Sequence, residues 1–306
     1  MTALRHLKAL ADETRLRLAL VLYHCELSVN ELASLMDMGQ SRISRHLKIL
    51  TESGLLHSRR DGLWAFYSAK PNGQGHEFLK SLMPYLLAEQ DAQDDLARAF
   101  HILEERARST RQFFNDIADD WDRMSREILG DFSLPDTVLK NLPIDCKTAV
   151  DLGCGTGEVL WKLRGACNGL IGVDNSPRML DQARRRFTGA EEEVSLRIGE
   201  LDHLPLRDGE ACFACISLVL HHLSRPADAL AEMSRVLHQG GHALITDFDQ
   251  HNQEAMRTLY GDRWLGFPLT TLASWVEKAG LIIERRSLQP VKRNLCLHIL
   301  LARKPG

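Results

Sequence analysis

Apolar positions in the first fifty-odd residues recur at helical spacing. Leu16, Leu18, Leu20, Val21 and Leu22 follow Asp12, whose carboxylate suits a helix N-cap. Ser28-Val29-Asn30-Glu31 has the form of a capping box, in which Ser28 accepts from the Glu31 amide while Glu31 reaches back. It predicts a short helix ending near Met36–Gly39. A second helix follows from Gln40 to about Ser53, with Ile43, Leu47 and Leu50 as its apolar stripe and Gly54 as its stop. Two short helices around a tight turn outline a helix-turn-helix. Residues 55–60 and 63–68 are then β-compatible, and the intervening Asp61-Gly62 signals a hairpin.

Residues 71–75 are a Pro/Gly-rich break. From about His76 to Leu129 the pattern is helical, with Pro84 an early start or kink, and it predicts one or two long helices. Breaks recur at Pro135 and Pro143. From Lys147 onward short apolar strands alternate with amphipathic helices. The strands read as 148–152, 170–174, 194–198, 212–218, 242–247, 281–288 and 295–302. Alternation of this kind predicts a doubly wound α/β sheet with a mainly parallel core. The expected fold class is therefore α/β with an α-rich N-terminal module. The expected domains are 1–72, a helical linker and dimerisation region at 73–130 that also caps the C-terminal site, and 131–306.

Composition narrows the function classes. A chain of 306 residues, 44% hydrophobic and 26% charged, is globular and long enough for two domains. Thirty-eight Lys+Arg against 41 Asp+Glu give −3, which excludes a uniformly basic coat. The longest apolar runs, such as 211–220, are about half a bilayer span, so no membrane partner is expected. The first residues, MTALRHLKALADE, lack the apolar stretch of a secretory signal. Seven scattered Cys, with a single CxxC at Cys212 and Cys215, do not make a zinc or disulfide framework. Reduced thiols and a cytoplasmic location are the expectation. The net charge also hides a split: residues 1–72 hold ten Lys/Arg and seven Asp/Glu, so the front is +3 and the remainder −6.

That front charge concentrates at residues 39–60, with five basic residues and one acidic. The second helix carries Gln40, Ser41, Arg42, Ser44, Arg45, His46 and Lys48, and Ser41, Arg42, Arg45 and Lys48 lie opposite its apolar stripe. Arg can read a guanine edge bidentately, and Ser and Lys suit phosphates, so this face fits a major groove. The hairpin would set Arg59 and Arg60 on flanking phosphates. The stretch LKALADETRLRLALVL through QSRISRHLKILTESGLL to the hairpin, about residues 3–70, resembles the ArsR family of winged-helix repressors. The resemblance implies a homodimer on an imperfectly palindromic double-stranded DNA operator. In arsenic-responsive members, cysteines occupy positions held here by Ser28 and Asn30, which are poor soft-metal ligands. Cys25 stands alone, and His76 and His101 are isolated, so no metal is expected.

The run AVDLGCGTGE at 149–158 follows a strand and opens a helix. Glycines at 153, 155 and 157 allow a sharp turn and close approach of a ligand. Seventeen residues past Gly157 a second strand ends in Asp174, an acid able to accept both hydroxyls of a ribose. The GxGxG spacing disfavours a dinucleotide. It resembles motif I of class I S-adenosylmethionine-dependent methyltransferases, and the likeness runs from about Arg111 to Ala302. It implies S-adenosylmethionine or S-adenosylhomocysteine as cofactor, held at Asp151, Gly153, Gly155, Gly157, Asp174, Asn175 and Met179. It further implies Glu200 on the adenine amino group, Leu201 against the ring and Ser217 at the methionine moiety. His222 lies near the ligand, and Phe114 and Trp121 close over it.

Two functions follow. In one, a DNA-binding regulator uses its methyltransferase-like domain as an effector sensor, with the helices of 76–129 transmitting ligand binding to DNA geometry. In the other, the chain is an active methyltransferase of a small-molecule acceptor with a fused DNA-binding domain. A sulfonium is already an activated leaving group, so alignment supplies much of the rate, and no particular catalytic residue is called for. No DPPY- or NPPF-type tetrapeptide supports DNA methylation.

Overall fold

The computed structural model describes residues 2–306, in two compact units that divide after Arg106. In the first, α1 (Thr2–Leu10) and α2 (Glu13–His24) precede the short strand β1 (Leu27–Ser28). Next come α3 (Val29–Leu35), α4 (Gln40–Glu52), the hairpin β2 (Leu56–Asp61) and β3 (Trp64–Ala69), and α5 (Gln74–Leu86). The helix α6 (Gln90–Ile117) runs through the division. Local chemistry accounts for the boundaries. The Asp12 side chain accepts from the Arg15 amide, and the reciprocal Ser28–Glu31 capping box is formed. Asp61 pairs with Trp64, so Gly62-Leu63 is the two-residue turn, with Gly62 at φ 57° where a side chain would be strained. Pro84 lies inside α5 near its end.

The core of this unit joins Leu18, Leu22, Leu32, Leu47 and Leu50 to Leu79 of α5 and Leu96 and Ala99 of α6. The long helices therefore do not form a third body. The segment 73–130 is divided, its front half packed into the winged-helix core and its back half in the second unit. Apolar residues on α5 and α6 extend this core. A part-buried bidentate pair fixes α6: Arg17 Nε and Nη2 donate to Asp95 Oδ2 and Oδ1 at 2.6 and 2.9 Å, and Asp95 is fully buried.

The second unit adds α7 (Trp121–Leu129), α8 (Leu134–Asn141), β4 (Thr148–Leu152), α9 (Glu158–Lys162), β5 (Gly169–Asp174), α10 (Pro177–Arg186) and β6 (Val194–Ile198). It continues with β7 (Ala211–Ser217), α11 (Pro226–Val236), β8 (Leu237–Phe248), α12 (Ala255–Leu259), α13 (Leu269–Lys278), β9 (Ile282–Pro290) and β10 (Cys296–Arg303). The sheet order is β6-β5-β4-β7-β8-β10-β9. The first five strands are parallel, and β10 is antiparallel to both β8 and β9. Apolar clusters cover both faces, one around Val150, Ile216 and Leu230, the other around Leu160, Phe213 and Leu244. The chain leaves β4 toward β5 on one side and reaches β7 on the other. That switch point opens a crevice at the C-terminal strand ends, where open α/β sheets bind ligands. Among the described residues no helix is long and apolar enough to cross a membrane.

Candidate nucleic-acid face and cofactor cleft

On α4, Ile43, Leu47 and Leu50 are fully buried, and Gln40, Ser41, Arg42, Ser44, Arg45 and Lys48 are exposed. Lys48 has only an exposed partner, Glu52, at 3.8 Å, a pair that DNA phosphates can displace. Two expected contacts fall elsewhere. His46 turns inward, its Nδ1 3.6 Å from the Asp12 carboxylate that caps α2. Arg59 is engaged within the unit: it pairs with Glu26 and Asp61, each at 3.3 Å, and its guanidinium lies 4.8 Å from the centre of the Phe66 ring. Asp61 is two residues on in the same strand, but Asp12 and Glu26 come from far along the chain and Phe66 from across the hairpin, so a local reading of basic residues misses them. Arg60 remains exposed, and the wing tip presents Leu63 and Trp64 to solvent.

In the second unit a cleft opens at the switch point. Twelve of the thirteen expected cofactor residues line it: Phe114, Trp121, Asp151, Gly153, Gly155, Asp174, Asn175, Met179, Glu200, Leu201, Ser217 and His222. Gly157 does not. A Cβ there would stand 3.2 Å from that of Ala183 and 3.6 Å from Phe187, so this glycine, at φ 78°, lets α9 pack against α10. Gly153 shapes the wall: at φ 74°, a Cβ would meet Val219 at 2.5 Å.

Asp174 ties the two glycine-side turns together. Its Oδ2 accepts from the Gly155 amide at 2.9 Å and its Oδ1 from the Ser176 amide at 2.8 Å. Burial pushes its pKa up to about 6, although those amides pull the other way. Burial likewise pushes Asp151 up to about 7; the Cys215 thiol donates to its Oδ1 at 3.3 Å. Glu200 accepts from Asn175 Nδ2 at 2.9 Å and faces Arg111 at 3.6 Å.

The end of α6 and the start of α7 form the cap. Phe114 meets Trp121 edge-on at 5.4 Å and His222 at 4.7 Å between ring centres. Polar ties hold this cap to the sheet. Ser176 Oγ donates to Asn115 at 2.7 Å, Thr156 Oγ1 donates to Asp122 at 2.5 Å, and Arg186 also pairs with Asp122. Thr110, Ser125, Thr156 and Glu158 also line the cleft, and sequence reasoning missed them. Thr156 stands inside the glycine motif and Ser125 one helical turn past Trp121, so spacing could have found both.

At the far wall, two adjacent histidines behave differently. His221 is buried, with Nδ1 2.7 Å from Asp247 and Nε2 3.6 Å from Asp262. Burial pushes its pKa down, but the two carboxylates outweigh that and hold it above the usual imidazole range. His222 is pushed well below that range by burial and by the charge of His221. Its Nδ1 lies 3.2 Å from the Gly261 carbonyl, which can only accept, so Nδ1 carries the proton. Nε2 therefore presents a lone pair, buried and without a hydrogen-bond partner.

The two units thus define a winged-helix module joined to a doubly wound sheet whose crevice is glycine-edged, acid-walled and aromatic-capped. Comparison with known proteins assigns both. Residues 12–58 match the family described as bacterial regulatory protein, arsR family, and residues 150–245 match the family described as methyltransferase domain. The chain carries an ArsR-type DNA-binding domain fused to a methyltransferase fold. The arsenical resistance operon repressor of Escherichia coli K12 is 48% identical over 66 residues, 21% of this chain and 56% of that one. A tRNA U34 carboxymethyltransferase of Shewanella woodyi is 29% identical over 150 residues, 46% of this chain and 45% of that one. The chain thus spans less than two-thirds of either relative. A Haloferax volcanii methyltransferase, solved with the Trm112 methyltransferase activator, shares the fold at TM-score 0.55 and 19% identity, covering 63% of this chain and 98% of that one.

Proposed function

We propose that the protein is a DNA-binding transcriptional regulator whose methyltransferase-fold domain binds S-adenosylmethionine or S-adenosylhomocysteine as effector. The observation that carries this reading is one chain holding both an exposed basic helix face and a capped cleft lined by twelve expected cofactor residues. On the DNA side, Gln40, Ser41, Arg42, Ser44, Arg45 and Lys48 read or position, with Arg60 on a flanking phosphate. The active form is a homodimer, placing two α4 helices on a palindromic operator in the cytoplasm.

On the ligand side, Asp174 accepts the ribose hydroxyls, and Glu200 with Leu201 holds the adenine. The acidic wall suits the ammonium group of the amino-acid end. Phe114 and Trp121 exclude water over it. Because α6 holds Asp95 in the DNA-binding unit and Phe114 at the cleft, cap closure is the step that biases DNA affinity. The test is an operator titration by fluorescence anisotropy at fixed salt, with and without each cofactor form. A shift in affinity with either form is expected; identical curves for apo and both ligands reject the sensor.

A specific observation bears on turnover: His222 lines the cleft with Nε2 unprotonated and without a hydrogen-bond partner, so it can accept a hydrogen bond from an acceptor hydroxyl or amine, while burial and the charge of His221 leave it a weak base. A screen of small acceptors with radiolabelled S-adenosylmethionine tests this second reading.

A further inference from the structure

The sequence offers no metal-ligand spacing, but the fold brings the adjacent His221 and His222 together with Asp262, about 40 positions further on. One nitrogen each of His221 and His222 and one Asp262 oxygen lie within 4.8 Å of one another, and all three residues are buried. Four features distinguish this cluster from an ordinary ion pair.

The first is a separation. His221 Nε2 and Asp262 Oδ1 are 3.6 Å apart, too far for a hydrogen bond. Two ligands on one tetrahedral ion, with bonds of about 2.0–2.1 Å, stand about 3.3 Å apart. The second is the support behind His221. Its Nδ1 lies 2.7 Å from Asp247 Oδ1, which also accepts the Phe248 amide at 2.8 Å. A carboxylate behind a histidine, fixing its tautomer and aiming Nε2, is the usual outer shell of a metal-bound imidazole.

The third is His222. Only 5% of this residue is exposed, its Nδ1 is held by the Gly261 carbonyl, and its Nε2 has no hydrogen-bond partner. Both imidazoles are thus anchored through Nδ1, leaving Nε2 on each as the donor. The fourth is access. The small cavity beside these residues shares Trp121, Ser125, Leu218 and His222 with the cofactor cleft.

We propose that His221, His222 and Asp262 bind a divalent first-row transition ion at the wall of the cofactor cleft, with Asp247 orienting His221. Two imidazoles and one carboxylate suit zinc, cobalt or iron(II) rather than calcium or magnesium. Three protein ligands leave a further position for water or a bound molecule. This site fits the sensing reading and competes with the turnover reading, because a metal on His222 Nε2 occupies the lone pair that the turnover reading uses.

The test uses the untagged full chain, stripped with a chelator, dialysed, and titrated with Zn(II) and Co(II). The expected result is one equivalent of metal per chain by elemental analysis. Co(II) gives visible bands without the near-ultraviolet charge transfer of a thiolate, since the ligands are nitrogen and oxygen. Asp262→Asn and His221→Gln lose the equivalent, and Asp247→Asn weakens it roughly 10–100-fold, as loss of an outer-shell partner does. Cooperative thermal melting checks that each variant is folded. Wild-type protein that retains no metal overturns the proposal. So does a thiolate charge-transfer band, or undiminished binding in folded Asp262→Asn. The wild-type arms decide even where a variant fails to fold.

Discussion

Asp174→Asn removes the carboxylate's negative charge and replaces one oxygen by an NH2 while keeping the shape of the side chain. In the structure both carboxylate oxygens are already in use, at 2.9 Å from the Gly155 amide and 2.8 Å from the Ser176 amide. An amide side chain offers one acceptor oxygen and one NH2, so whichever way it is turned, one backbone donor faces another donor. Hydrogen bonds to a charged group are worth about 1.5–3 kcal/mol, and the ribose loses an ionised acceptor as well. The expected penalty for cofactor binding is about 3 kcal/mol, or about a hundredfold in Kd. Isothermal calorimetry with S-adenosylhomocysteine measures it, and operator binding without ligand is the internal control, unchanged because α4 lies in the other unit. A variant that melts like wild type and binds the nucleoside within about threefold would refute the assignment of Asp174 as the ribose acid.

The same carboxylate predicts a pH dependence. Burial raises its pKa to about 6, and ligand binding needs the ionised form, so affinity is full above that value and falls about tenfold per pH unit below it; calorimetry from pH 5 to 8 checks the slope. Arg45→Ala should weaken operator binding and, if Arg45 meets a phosphate, reduce the slope of log K against log salt by about 1. Its cofactor affinity should not change. Asp95→Ala removes the charged acceptor of a part-buried bidentate pair, and because Arg17 is 31% exposed and can rehydrate it should destabilise the DNA-binding unit by about 1.5–3 kcal/mol, read as a lowered denaturation midpoint. Gly153→Ala combines φ 74° with a 2.5 Å approach to Val219 and should lower both stability and cofactor affinity, measured by melting with and without ligand.

Much of this protein was legible in the chain because the deciding signals are local. The capping box at Ser28–Glu31, the apolar stripe of α4 and the seven alternating strands each depend on residues a few positions apart. Their elements formed within a few residues of the expected ends. Asp174 was legible because a strand end and a glycine turn have fixed spacing. What escaped depends on distant partners. Nothing near Arg59 in sequence announces Glu26, and nothing near His46 announces Asp12. Gly157 carries the right motif position, yet α10 packs against it and no ligand surface remains there. The helices of 73–130 read as a linker because their own pattern is amphipathic, but the face they bury belongs to two different cores. His221, Asp247 and Asp262 come together only when β7, β8 and the loop after α12 converge.

The central claim is that one ligand couples the cleft to DNA, and coupling is reciprocal. The most direct measurement is the Kd of S-adenosylhomocysteine and of S-adenosylmethionine for the full chain, free and saturated with operator DNA, at one salt concentration. The account predicts that for at least one form DNA shifts the Kd by about 5–150-fold, by the same factor through which that form shifts DNA affinity. Tight cofactor binding with a Kd identical in the presence and absence of DNA would contradict it.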